Sequence, residues 1–259
     1  MALHLDLAGR VALVPGGSGG IGSAVAAALA QAGADIAITC RRNRERAEWV
    51  ADSARALGRR ARVDAVDMTD RRAAAQWVGE SIAELGRVDI LANCVGYDGT
   101  FRLFAELPPE EWPGMMGQQF WAAVNACHAV LPHMIAQRAG RIISLGSDGA
   151  KVGQSGMALG NAGNAGVMGF SKSLARELAR HAVTVNVVCA GPTEGPTLDA
   201  LRSSGDTGAR LIDAALRTIP LKRPGSAEEL AAAFVFLASA QGGYITGQAI
   251  SVSGGLTMS

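Results

Sequence analysis

Aromatic residues are scarce in this chain, at 5%, and only two of them are tyrosines, Tyr97 and Tyr244. Any chemistry that needs a phenol therefore has two places to find one. An excess of one charge is also missing: 24 Lys+Arg against 23 Asp+Glu leave a formal net charge of +1, which argues against nucleic acid or a membrane surface as the main partner. The four cysteines, Cys40, Cys94, Cys127 and Cys189, lack the paired CxxC spacing of a zinc site or a redox motif. They read as small buried hydrophobes in a reducing compartment, and no metal is expected. No apolar run is long enough to span a bilayer. The opening MALHLDLAGRVALVPGG has no basic region ahead of an apolar stretch and no small-residue cleavage site, so the expected location is the cytoplasm. Internal repeats and low-complexity segments are absent.

What the chain does have is 49% hydrophobic residues, 18% charged residues and 33 glycines in 259 positions. That composition and length fit one α/β domain over 1–259 with a substantial buried core. Short apolar runs alternate with helical periodicity: RVALVPGG, which ends in glycines, DIAITC, RARVDAVDM, DILANCVG, GRIISLGS, VTVNVVCAG and QAISVSGG read as strands. Between them, IGSAVAAALAQAG, RERAEWVADSARALG, RRAAAQWVGESIAELG, a long stretch from WPGMM to HMIAQ, and ALGNAGNAGVMGFSKSLARELA read as helices. AEELAAAFVFLAS is a final helix. This alternation predicts a doubly wound parallel sheet of Rossmann type, with helices on both faces. A Gly-, Pro- and Ser-rich segment at about 193–224 suits a flap over a cleft.

PGGSGGIG, Pro15 to Gly22, stands between the first strand and the first helix, where a dinucleotide-binding turn belongs. Glycine allows the backbone to approach a pyrophosphate, and the helix N-terminus supplies amide donors and the positive end of a dipole. The alternative is a tight turn that binds nothing. With this turn the chain resembles the short-chain dehydrogenase/reductase family over nearly its full length. The family's TGxxxGIG is matched by Gly16, Gly20, Ile21 and Gly22, with Pro15 in place of Thr and Ser18 inside the loop. The acidic residue of the adenine contact corresponds to Asp67, and NNAG corresponds to Asn93, Cys94, Val95 and Gly96. The resemblance implies NAD(P) as cofactor. Where NAD-preferring members carry an Asp, this chain has Cys40, then Arg41 and Arg42. The two arginines either face a 2′-phosphate, favouring NADP, or belong with Arg44 and Arg46 to a solvated helix start.

The catalytic set implied by the family is a Ser, a Tyr, a Lys four residues after the Tyr, and an Asn. The serine is Ser147. Thirteen residues on, the tyrosine position holds Gly160, and the lysine position holds Asn164. The Asn position corresponds to Gln119, with Asn125 as the competing alignment, and the Thr that takes the carboxamide becomes Gly195. Gly160, Gly163, Gly166 and Gly169 leave the start of that helix nearly without side chains. Glycine has no acid or base, and Asn cannot carry the charge of Lys. Losing a general acid alone costs about 10²- to 10⁴-fold in rate, so ordinary family chemistry is not expected.

Tyr97, beside Asp98, is the candidate for a relocated acid in an NADP-dependent oxidoreductase. Asp148 reads as a solvated or turn-capping carboxylate, and His128 as a residue packed in the interior or at an interface. A non-redox isomerase or dehydratase reaction using Ser147 or Asp148 is a third possibility. The helices around 112–137 and 160–180 and the tail QAISVSGGLTMS match the subunit contacts of the family. The tail VSGGLTM resembles bacterial hydroxyacyl-CoA dehydrogenases of aromatic and alicyclic acid breakdown. That resemblance implies a catalytically silent subunit that assembles in a tetramer with an active short-chain dehydrogenase paralogue and meets an acyl-CoA substrate.

Overall fold

A computed structural model describes residues 5–96, 101–203 and 216–258. Tyr97 and Asp98, and the middle of the expected flap at 204–215, lie outside the described residues. All seven expected strands form: β1 Val11–Val14, β2 Asp35–Cys40, β3 Ala61–Ala65, β4 Ile90–Asn93, β5 Gly140–Ser147, β6 Val183–Ala190 and β7 Ala249–Val252. They make one sheet in the order β3-β2-β1-β4-β5-β6-β7, with every neighbouring pair parallel.

The helices are α1 Gly20–Gln31, α2 Arg44–Ala56, α3 Arg71–Leu85, α4 Trp112–Met116, α5 Ala122–Gln137, α6 Gly149–Val152, α7 Ala158–Leu178, α8 Pro196–Arg202 and α9 Ala227–Ala238. Alternation along the strands separates two cores. Ala12, Val14, Ile36, Ile38 and Ile90 pack under α1, α2 and α9 through Val25, Leu29, Val50, Leu230 and Phe234. Val11, Leu13, Ala37, Leu91 and Ile142 pack under α3, α5 and α7 through Trp77, Val78, Val130, Met134, Leu174 and Leu178. Burial on both faces is why these strands read as continuous apolar runs instead of alternating ones.

The edge strand β3 is held by charge. Arg62 bonds Asp64 at 2.6 Å, Glu80 at 2.6 Å and Glu84 at 2.8 Å, and Asp64 also accepts from Trp77 Nε1 at 3.0 Å. Such a ladder clamps α3 to the strand and covers an edge that would otherwise invite pairing.

One expected element divides. The long helix from WPGMM to HMIAQ contains a π-helical turn at Gly117–Trp121 between α4 and α5. A π turn inserts an extra residue and re-aims side chains; here it turns Gln119 and Phe120 toward α7. Among the described residues, no helix is long and apolar enough to cross a membrane.

Candidate functional site

The strand order reverses between β1 and β4, and ligands of such sheets bind in the crevice outside the carboxyl ends at that switch point. A cavity of about 250 Å³ lies there, lined by Gly16, Ser18, Thr39, Arg41, Asp67 and Gly96 among others. A wider depression of about 420 Å³ adjoins it and shares Arg41, Asp67, Thr69 and Gln118; Pro113, Gly117 and the exposed Trp121 add to its lining.

The phosphate turn is built by close approach. Gly16 has φ +75°, and a Cβ on it would lie 2.7 Å from Cys94 O. Its N–H donates to Thr39 Oγ1 at 3.0 Å, which fixes the turn to β2. Gly22 is pressed against the same turn, where a Cβ would meet Gly16 O at 2.2 Å. The N-cap of α1 is Gly19, which supplies no side-chain acceptor, so the first-turn amides, including those of Gly20 and Ile21, keep their donors for a ligand. Ile21 contributes its side chain to the core.

Arg41 and Arg42 are exposed just beyond the buried end of β2 at Cys40. Asp67 is exposed, and its Oδ1 accepts from Thr69 N at 2.9 Å and Thr69 Oγ1 at 2.8 Å, an Asx turn that orients the carboxylate. Asn125 underpins this loop. It is 8% exposed, and its amide donates to Met68 O and Thr69 O, each at 3.0 Å. Asn125 is thus an anchor for the loop after β3, and the alternative alignment that made it a catalytic position is set aside.

The opposite end of the cleft holds Gln119, Gly160 and Asn164, and the structure brings these three together. Asn164 Nδ2 donates to Gly160 O at 2.8 Å and to Gln119 Oε1 at 3.4 Å. A Cβ at Gly160 would sit 3.0 Å from Met157 Cε and 3.8 Å from Gln119 Nε2. The space a larger residue would start from is already bordered by these two side chains. At Gly195 the backbone has φ +136°, a conformation that L side chains rarely adopt, so a Thr there would be strained. The Thr193 hydroxyl donates back to Gly191 O at 2.9 Å.

Three sequence expectations are corrected. Asn93 does not present its amide to the cleft: it is 3% exposed, and Nδ2 reaches Ser144 Oγ at 3.4 Å and Cys127 Sγ at 3.6 Å in the core between β4, β5 and α5. Asp148 is not solvated, and although it stands at the N-cap position of α6 its side chain makes no capping bond; it is fully buried, and its Oδ1 accepts from Ser251 Oγ at 2.5 Å. Ser251 in turn accepts from Lys151 Nζ at 2.8 Å, so this carboxylate belongs to a link between the end of β5 and β7. His128 lies exposed on α5, so of its two readings, interior or interface, the interior one is set aside. Ser147 ends β5, partly exposed, as expected. Tyr244 is fully exposed, whereas the proposed acid Tyr97 lies outside the described residues.

Sequence reasoning missed Thr39, Thr69, Met157 and Trp121. Thr69 carried a readable signal, the Asp-x-Thr pattern of an Asx turn. The other three enter only through tertiary neighbours. Burial raises the thiols: Cys127 rises to about 12 and Cys189 to about 11 in the core, and Cys40 and Cys94, which line the smaller cavity, are pushed up as well. None supplies a thiolate nucleophile near neutral pH. Among the described residues no group of His, Cys, Asp or Glu could hold a metal ion.

Residues 16–257 match the family described as enoyl-(acyl carrier protein) reductase. A 3-oxoacyl-[acyl-carrier-protein] reductase FabG of Vibrio cholerae is 37% identical over 254 residues, covering 98% of this chain and 100% of the relative. An acetoacetyl-CoA reductase of an Acinetobacter species is 35% identical over 253 residues, covering 96% and 98%. Among solved structures, a blue fluorescent protein from a metagenomic library, in complex with NADPH, superposes with a TM-score of 0.89 at 32% identity, covering 98% of this chain and 100% of its own. With its doubly wound sheet and glycine turn, the chain belongs to the short-chain dehydrogenase/reductase family.

Proposed function

We propose that this chain is a nucleotide-binding, catalytically silent subunit of an oxidoreductase that interconverts a hydroxyl and a ketone on an acyl thioester. The observation that carries the reading is the Asn164 amide committed to Gly160 O and Gln119 Oε1, at the positions where the family places its lysine and tyrosine. Two neutral amides and a glycine can neither donate a proton to a ketone oxygen nor lower the pKa of a group that does.

The residues fit one half of NAD(P). The amides of the α1 N-terminus, Ser18, Arg41, Asp67 and Gly96 would hold its phosphates and adenosine. Bound, the dinucleotide supplies hydride chemistry, and the NADPH complex of a structural relative supports this class of ligand. At the other end, Gly195 and Asn164 replace the contacts that would fix the ring and its ribose.

The partner in this reading is an active paralogue with an intact Ser, Tyr and Lys set, joined through α5, α7 and the edge strand β7. The substrate class follows from relatives that act on 3-oxoacyl carrier-protein and acetoacetyl-CoA thioesters. The tail and the missing residues narrow the proposal to the degenerate subunit of a 2-(hydroxyphenylmethyl)succinyl-CoA dehydrogenase of anaerobic toluene degradation. Co-expression with a short-chain dehydrogenase paralogue that carries an intact Ser, Tyr and Lys set tests it. The two chains should co-purify in one tetramer, and the chain purified alone should show no nicotinamide-linked turnover of acetoacetyl-CoA. Turnover by the lone chain within about tenfold of an intact family member would overturn the proposal.

A further inference from the structure

The amino ends of the strands, opposite the cleft, hold a charge cluster that neither the cofactor nor the partner reading uses. Its centre is Asp89, the residue before β4, which is 4% exposed. Arg87 grips its carboxylate with Nε and Nη2, each at 2.7 Å. Arg10 Nη1 and the Val11 N–H each donate to it at 3.0 Å. Four donors on two oxygens leave this carboxylate satisfied. Arg141, at the start of β5, brings a third guanidinium to the same end, and its backbone N–H bonds Asp89 O at 2.8 Å. Its side chain has no carboxylate partner among the described residues. Nη1 donates at 3.1 Å to the carbonyl of the preceding Gly140, and Nε is buried with no acceptor. Burial and the charge of Arg10 both work against the charged form of Arg141, a cost that an acid ordinarily offsets. Asp35, at the start of β2, is already matched by Arg60 at 2.7 Å. Three guanidiniums around one carboxylate thus leave two positive charges in excess. The turn after α9 keeps one side of Arg141 open: a Cβ on Gly243 would lie 3.1 Å from its Nη2, in room that the glycine leaves empty. Tyr244, the next residue of that turn, is fully exposed.

We propose that Arg10, Arg87 and Arg141 form a binding site for a phosphate-type dianion at the amino end of the sheet, with Arg141 as its principal ligand. Guanidiniums take the oxygens of such a group through charge-assisted hydrogen bonds, and two negative charges match the excess. Arg10 gives one donor to Asp89 and Arg87 gives two, so both keep donors for an anion. Their side chains are 50% and 44% exposed, which leaves those donors reachable from solvent. The site is distinct from the glycine turn, which follows the carboxyl end of β1, whereas Arg10 precedes its amino end. The same chemistry arrives as inorganic phosphate or as a phosphate monoester, and the exposed ring of Tyr244 offers an apolar surface to an aryl ester.

Calorimetric titration of the full chain with inorganic phosphate, phenyl phosphate and acetate, at constant ionic strength, tests the site. Arg41→Ala separates it from the cofactor cleft, where phosphate also finds donors. The expected result is saturable phosphate binding with a dissociation constant of about 1 mM or tighter, kept within about threefold in Arg41→Ala and weakened at least about tenfold in Arg141→Met. Arg10→Gln, at a half-exposed position, is the second variant and should weaken binding at least about threefold; it carries the test if Arg141→Met does not fold. Phosphate should also raise the melting temperature of the native chain and leave that of Arg141→Met unchanged. Tighter binding of phenyl phosphate than of phosphate identifies an ester as the source, and equal or weaker binding identifies the free ion; either supports the site. Phosphate binding that is lost in Arg41→Ala but kept in Arg141→Met places the anion in the cleft and overturns the proposal. Saturation only above about 10 mM, or acetate binding as tightly as phosphate, means an adventitious ion only and overturns it too.

Discussion

At the scale of single residues, the glycines of α7 do two different jobs. Gly163 and Gly166 are contact surfaces: a Cβ on Gly163 would come 2.5 Å from Gln119 Cβ, and one on Gly166 would come 3.0 Å from Phe120 Cδ2. Gly169 faces open space, with nothing within 4 Å. Replacing Gly163 with Ala should therefore overpack the contact with the π turn and destabilise the fold by about 1–3 kcal/mol. Gly169→Ala should instead stabilise it by about 0.5–1 kcal/mol, the ordinary helical gain. Denaturant melts of the two variants check this; equal effects would mean that α7 and the π turn are not packed as described. Gly160, thirteen residues after Ser147, was legible in the sequence as a glycine near the start of α7. That Met157 and Gln119 border the space could not be read, because both come from outside the motif.

Among elements, α9 shows how local sequence sets an end. Ser226 caps it and Glu229 reaches back, a full capping box. Glu229 also takes two bonds from Arg223, at 2.8 and 2.6 Å. The Arg223 guanidinium, helped by the Ser226 N–H, holds the Glu229 carboxyl down at about 2, below its usual 4.5. A depressed carboxyl contributes to the folded state above its ordinary range and loses that contribution as the pH falls toward its folded value. The stability difference between the native chain and Glu229→Gln should accordingly be full above pH 5 and shrink toward zero as the pH falls to about 2. Thermal melts across that range measure it, and a constant difference would show that the pair is screened by solvent.

For the whole molecule, burial decides reactivity. All four cysteines are free and buried, although Cys40 and Cys94 line the cleft. Desolvation raises each of them above the ordinary thiol. A thiol-exchange reagent at neutral pH should find none of the four in the native chain and all four after denaturation. Rapid reaction of one thiol in the native chain would reveal opening of the cleft at Cys40 or Cys94, and a bound nucleotide should then slow it.

The sequence by itself determined the seven strands, the doubly wound class and the glycine turn between the first strand and the first helix, because each depends on residues close in the chain. Periodicity and glycine placement act locally, so they survive without knowledge of neighbours. Only the tertiary structure decided that Asn93 faces the core, that Asp148 is buried against Ser251, that Asn125 anchors the adenine-side loop, and that Gln119 meets Asn164. Those partners are separated by 51, 103, 57 and 45 positions respectively. Where a side chain points across such distances is set by which elements pack together, and no local pattern encodes it.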